Sequence, residues 1–338
     1  MTAALLIASG SACDGSRIDP AAGLPSAAPA ITWTQGAPCP LARFEANGVV
    51  LDDELWVLGG FVSPILDVTN RVDIYNPVTD TWRVGPALPG AQTHIAAVTV
   101  AATDVIVAGG FDGPFLANRP PVSAAVWRWN KQTAEWAAGP SLPAAGAAYA
   151  WALLGGQLHL AGGLAADGNT DTDAHYVWDL AGAPAWTSGP ALPNARNHGA
   201  GAAAAGLFFA IAGRHDWDEQ AGDVSDVDAF DETTGAWIPR APIPGARSEI
   251  AAATTTLADG RILVVGGSLP GITPSPNVLV YDAAANAWAT LTPLPQPRKG
   301  AVARQIGNLI VVATGSPTSV DPSNATFVGC CLGVAPPR

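Results

Sequence analysis

Lysine occurs twice in this sequence and methionine once, so two of the residues that long surface helices favour are almost missing. Charge is scarce as well: 13% of the residues are charged, against 49% hydrophobic. That composition has ample apolar area to bury and excludes an intrinsically disordered chain. Basic residues number 16 and acidic residues 28, giving a formal net charge of −12. Nucleic acid and anionic lipid both require a basic footprint, and neither is an expected partner. No Gly-x-Gly-x-x-Gly, P-loop, His-Glu-x-x-His or Gly-x-Ser-x-Gly motif occurs, which sets aside the chemistries those motifs serve. Four cysteines are present without Cys-x-x-Cys spacing, so a thiolate metal site is not expected.

Turn formers are abundant. Glycine (37) and proline (30) together supply 67 of the 338 residues, which points to many short strands. Those strands repeat. Apolar runs end in Gly59-Gly60, Gly109-Gly110, Gly162-Gly163 and Gly266-Gly267, with weaker copies at Gly213-Arg214 and Thr314-Gly315. Trp33, Trp82, Trp136, Trp186, Trp237 and Trp288 recur in step, about 50 residues apart, each before a proline-punctuated segment. Between glycine pair and Trp runs a third marker, an alternating strand such as Val72-Asp73-Ile74-Tyr75.

These three phased markers resemble the kelch repeat, whose period is near 50 residues. The resemblance covers residues 31–331 and implies an all-β, six-bladed β-propeller of four-stranded blades around a central channel. Trp33 arrives without its three preceding strands, and the last copy lacks a closing Trp. The strand around Trp33 is therefore expected to complete blade six beside residues 325–328, closing the ring. The register also reassigns the apolar stretches 144–166 and 199–213 from membrane span to buried strands, so no transmembrane span is expected.

The termini are read separately. Residues 1–13 are similar to a bacterial lipoprotein leader, with an apolar run and small residues before Cys13, although they lack a basic start and carry Gly10 where a larger apolar residue is usual. The expectation is export, with the protein periplasmic or at the cell surface and lipid on Cys13. Residues 14–30 read as an Ala/Pro/Ser linker and 332–338 as a tail. Cys330 and Cys331 suggest a closure staple, either vicinal or through Cys39 or Cys13.

Candidate site residues come from two loop families that the resemblance places on one face. Counting from the loop proline, the third residue is Arg43, Gln92, Gly146, Arg196, Arg247 or Arg298; two further on stand Glu45, His94, Ala148, His198, Glu249 or Gly300. Residues two apart on a strand share a face, so all twelve are expected at the channel mouth. The arginines either bridge blades structurally or hold a ligand. Glu45, His94, His198 and Glu249 have the ligand types for Zn, Mn or Fe, or the acid and base of a proton-transfer site, or they form rim ion pairs. In blade four, Arg214 stands where the second glycine is expected, followed by His215, Asp216 and Trp217; these are ligand candidates, with Trp217 as a stacking platform. The loop Asp167–Asp173 offers weak Ca²⁺-type oxygen ligands, with a solvated acidic loop as the alternative. His159 reads as a packed strand residue and His175 as the start of an outer strand.

Two functions follow from the resemblance. One is a binding module that holds a glycan, small molecule, peptide or protein on its loop face. The other is an enzyme similar in blade count and expected export to the bacterial N-acetylneuraminate epimerases, with Glu45 or Glu249 as base, His198 as acid, and Arg196, Arg214 and Arg247 on the sugar carboxylate. A metal-dependent enzyme is a third reading. A galactose-oxidase-type copper site is not expected, since no Cys lies in the ring interior.

Overall fold

The computed structural model describes residues 31–113, 121–216 and 222–331. Every regular element among them is a strand, and six four-stranded sheets form six blades. Blade one shows the plan: Asn47–Leu51 is innermost, followed outward by Glu54–Leu58, Val72–Asn76 and Thr81–Val84. The middle strands are β-branched and leucine-rich, and they are buried because neighbouring blades cover both of their faces. Outermost strands alternate exposed and half-buried residues, as one-sided burial requires. The membrane-like stretch at 144–166 is the hairpin Ala150–Leu154 and Gln157–Ala161 of blade three. No helix among the described residues is long and apolar enough to cross a membrane.

Ring closure follows the sequence. Ile31–Gly36 is the outermost strand of blade six, antiparallel to Thr326–Cys331, with Trp33 opposite Gly329. Cys330 is disulfide-bonded, whereas Cys39 is a buried free thiol, so the staple does not run through Cys39. Residues 1–30, including the leader-like segment and Cys13, and the tail 332–338 lie outside the described residues.

The joints between blades give a reason for the repeated Trp in five of the six blades; Trp136 of blade two makes no such bond among the described residues. Trp82 Nε1 donates to Ala37 O (2.9 Å), Trp186 to Pro140 O (2.8 Å), Trp237 to Pro190 O (2.9 Å), Trp288 to Ala241 O (2.9 Å) and Trp33 to Thr292 O (3.2 Å). Each reaches back to the chain leaving the preceding blade. The inner strands are joined in the same direction. Thr99 Oγ1 donates to Val50 O (2.7 Å), Trp151 Nε1 to Ala97 O (2.9 Å), Thr256 Oγ1 to Ala203 O (2.8 Å) and Arg304 to Ala252 O (2.7 Å). Carbonyls that an inner edge would leave unpaired are thus satisfied by the next blade.

Candidate functional site at the channel mouth

The loop that enters each inner strand and the loop that follows each glycine pair open at the same end of the propeller. Six equivalent residues lie where the entering loops meet: Glu45, His94, Ala148, His198, Glu249 and Gly300. All six adopt left-handed backbone, with φ between 50° and 55°. Their amides form a ring of hydrogen bonds around the channel. Ala148 N donates to His94 O (3.1 Å), His198 N to Ala148 O (3.1 Å), Glu249 N to His198 O (2.8 Å), Gly300 N to Glu249 O (3.1 Å) and Glu45 N to Gly300 O (2.8 Å). Thr93 Oγ1 occupies Glu45 O (2.9 Å) at the remaining joint. Left-handed backbone costs an L-residue about 1–2 kcal/mol, and here it is held by that ring.

The left-handed residue also corrects the placement of the arginines. A strand alternates only while it stays extended, so Arg43 and Glu45 do not share a face. Glu45 reaches the mouth, while Arg43 turns into its blade, fully buried, donating to Gly59 O (3.2 Å), Arg71 O (3.0 Å) and the buried Asp73 carboxylate. Arg196 serves Ala212 O (2.9 Å), Ala210 O (3.0 Å) and Asp228 (2.9 Å). Arg247 bonds Gly266 O (3.1 Å) and Pro244 O (2.8 Å), and Arg298 bonds Pro297 O (2.8 Å) and Gln296 (3.0 Å). These four arginines brace loop backbone and do not line the mouth.

Arg214 is also re-registered. The two left-handed positions near the end of the second strand of blade four, Leu207–Arg214, are Ala212 (φ 53°) and Gly213 (φ 116°). So Ala212 replaces the first glycine, Gly213 is the second, and Arg214 is the residue after the pair. The pattern is physical. First positions have φ 53–68°, within the left-handed well open to L-residues, whereas second positions have φ 83–116°, beyond it. A Cβ on Gly60 would also come within 2.8 Å of Ala46 and of Phe44 O.

Around the mouth the charged groups are paired. Glu45 Oε2 lies 2.7 Å from His94 Nε2. Glu249 lies 2.8 Å from Lys299 Nζ and 3.5 Å from Arg214. His198 Nδ1 contacts Asn197 Oδ1, and its ring meets that of His94 at 4.8 Å. Lys299 is 4% exposed and was not singled out from the sequence; being one of two lysines, at a position where the other blades carry Phe, Thr, Ala, Asn or Ser, is the signal that marks it. Blades one and two add an aromatic wall of Phe44, Phe61 and Phe111 around His94, with Lys299 Nζ 5.7 Å from the Phe44 ring centre.

Burial works against ionisation of Glu45, but His94, Lys299 and Arg214 hold its carboxyl well below the usual carboxylate range. Burial pushes Glu249 upward, aided by Glu45 and opposed by Lys299 and Arg214. Burial, Arg214, His94 and Lys299 drive His198 well below the usual imidazole value, so it is neutral. Among the described residues, no group of three or more His, Cys, Asp or Glu is arranged to hold a metal ion. At Glu249 a metal ion would compete with Lys299 and Arg214. The cavity under this constellation, walled by Asn47, Ile95, Trp151 and alanines, has a volume of about 40 Å³.

The post-glycine loops lie outside the mouth. His215 Nδ1 and Asp216 N both approach Asp171 Oδ2 (3.2 Å each), and Asp167 caps its own turn through the amides of Asn169 and Thr170 (2.9 Å each). The Asp167 and Asp171 carboxylates thereby brace loops. Trp217 lies outside the described residues. Ile65 stands at a loop tip, 77% exposed, and Val320 on the neighbouring blade is 39% exposed.

Comparison with known proteins agrees with this geometry. The Kelch motif model matches residues 42–89. The Kelch-like protein terF of Aspergillus terreus is 29% identical over 257 residues, 74% of this chain and 55% of that protein. Mouse Kelch-like protein 35 is 25% identical over 247 residues, 73% of this chain and 39% of that protein. Human Kelch-like protein 21 is 24% identical over 310 residues, 77% and 47% of the two chains. The chain thus spans about half or less of the length of these relatives.

Proposed function

We propose that this chain, a six-bladed kelch-repeat β-propeller, is a protein-binding module that takes its partner on the loop face around the channel mouth. One observation carries the reading. The cavity at the mouth holds about 40 Å³, whereas pockets that engulf small ligands hold roughly 300–1,000 Å³. The groups that would serve a sugar or a metal there are spent on one another and on loop backbone. What the face offers outward is side chains on variable loops: apolar Ile65 and Val320, with Asp67, Asp112, Asp216 and Asp321 on the same loop set. Apolar centres with a polar rim are what protein contacts use. We also place the protein outside the cytoplasm, on the strength of the leader-like residues 1–13 with Cys13 as lipid anchor.

The test uses a photo-crosslinking residue in the full chain in its own cells. It is placed at Ile65 on the loop face or at Val78, 88% exposed on a turn at the opposite end. A protein adduct is expected from position 65 and not from position 78, and Ile65→Asp with a crosslinker at position 320 should reduce it at least tenfold. Adducts from position 78 alone would overturn the assignment of the face. Saturable sugar binding that Ile65→Asp leaves intact, with no protein adduct, would replace the protein by a glycan.

A further inference from the structure

Between blades three and four a second polar constellation runs from the loop-face end of a strand, at His175, to the opposite end of the propeller, at Glu232. His159, in the second strand of blade three, is fully buried, as is His175 at the start of the third. His175 Nδ1 lies 3.2 Å from Pro190 O, His159 Nδ1 lies 3.0 Å from His175 Nε2, and His159 Nε2 lies 3.0 Å from Glu232 Oε1 of blade four. Glu232 forms the lip of an open cleft of about 530 Å³ whose walls include Gln157, Asp179, Thr187 and Phe230.

The direction of every bond in this chain is fixed by its inner end. A carbonyl only accepts, so His175 carries its proton on Nδ1 and presents a lone pair at Nε2. His159 must therefore donate from Nδ1, and its own Nε2 presents a lone pair to Glu232. A carboxylate there would set two acceptors 3.0 Å apart. The observed contact needs one more proton than neutral imidazoles and a carboxylate supply.

We propose that Glu232, His159 and His175 form a proton-linked latch between blades three and four, which closes over the cleft when it binds one proton and releases the Glu232 side chain when that proton leaves. The surroundings agree. Burial pushes both imidazoles down to about 4. Burial, with Asp231 beside it, pushes Glu232 above the usual carboxylate value, so the proton sits on Glu232 and its hydroxyl donates to His159. The other ionisable groups facing the latch are Asp179 on the cleft wall and Asp231 on the turn; among the described residues no lysine or arginine lines the cleft. Phe208, Phe230 and Trp237 enclose the two imidazoles. Asp231 holds the turn by accepting from Thr233 N (2.8 Å) and Oγ1 (2.7 Å), so the side chain can swing while the turn stays. Glu232 and its cleft lie at the end opposite the proposed partner face, and the latch does not rest on that proposal.

Nitrogen-15 spectra of the histidine rings test it in the full chain, which has five histidines to assign. His159 and His175 are expected as Nδ1–H tautomers at neutral pH. On acidification the His159 Nε2 resonance should move with the Glu232 carboxyl carbon in one shared titration. Glu232→Gln donates from its amide without an added proton, so His159 should keep the closed-state shift at every pH above 5. Glu232→Ala should keep the open-state shift over the same range. An Nε2–H tautomer on His159 overturns the proposal, and so does a His159 titration that Glu232→Gln leaves unchanged.

Discussion

At the residue scale, the mouth is held by cations placed against buried acids. Lys299 is the clearest case, because Glu249 is buried beside it and has no solvent to turn to. Removing one partner of a buried pair leaves an uncompensated charge and costs about 3–5 kcal/mol, whereas removing both costs far less. Lys299→Met leaves Glu249 with Arg214 alone, 3.5 Å away, so it is expected to lower stability by up to about 3 kcal/mol, and adding Glu249→Gln should restore part of it. Urea unfolding of the two variants decides the matter; equal midpoints would show that the pair is not coupled. Lys299 also marks the limit of what the sequence reveals at this scale. The series Glu45, His94, His198 and Glu249 was legible from repeat phase alone. Its separation from the arginines was not, because alternation assumes extended backbone and these residues are left-handed. Gly300, at the sixth position of the series, is the one letter that hints at it. The same blindness put Arg214 in a glycine's place: Ala212 fills the first left-handed position there, so only the second position shows a glycine.

At the scale of the element, the strand that closes the ring comes from the other end of the chain. Ile31–Gly36 covers the edge of Thr326–Cys331, and Ile31 and Trp33 pack into the core of blades five and six. Deleting residues 1–36 removes those contacts and the Trp33 bond to Thr292, and it exposes a paired edge. The truncated chain is expected to melt at lower temperature and to associate in a concentration-dependent way by light scattering. A monomer with unchanged melting temperature would show that the strand is dispensable. This closure was readable because the markers are in phase: a Trp without its blade at one end and a blade without its Trp at the other admit one arrangement. The pairing of the cysteines was not readable, since four cysteines allow several partners and only geometry excludes Cys39.

At the scale of the whole molecule, buried imidazoles set the response to acid. His159 and His175 are held near 4 by burial, against about 6.5 in an unfolded chain. Their folded values are depressed, so below about pH 6.5 the unfolded state takes up protons that the fold refuses. Stability therefore falls as pH drops from about 6.5 toward 4, by up to on the order of 3 kcal/mol for each such group. Glu45 acts in the same direction lower down: its carboxyl is depressed in the fold, and its contribution is lost as pH falls below the ordinary carboxylate range. Glu232 opposes them weakly from its partly exposed position. Denaturant midpoints are expected to decline steadily from pH 7 to pH 4.5; a flat profile would refute neutral burial of the imidazoles.

The joints between blades have a further meaning. Five of the six blades grip the one before them through the outer Trp, and the grip of blade six on blade five uses Trp33 just as blade five uses Trp288 on blade four. The joint made by Trp33 therefore uses the same contact as the joints inside the repeat. Cutting the polypeptide at another outer-strand boundary while joining its ends would move the seam while keeping the tryptophan joints of the wheel.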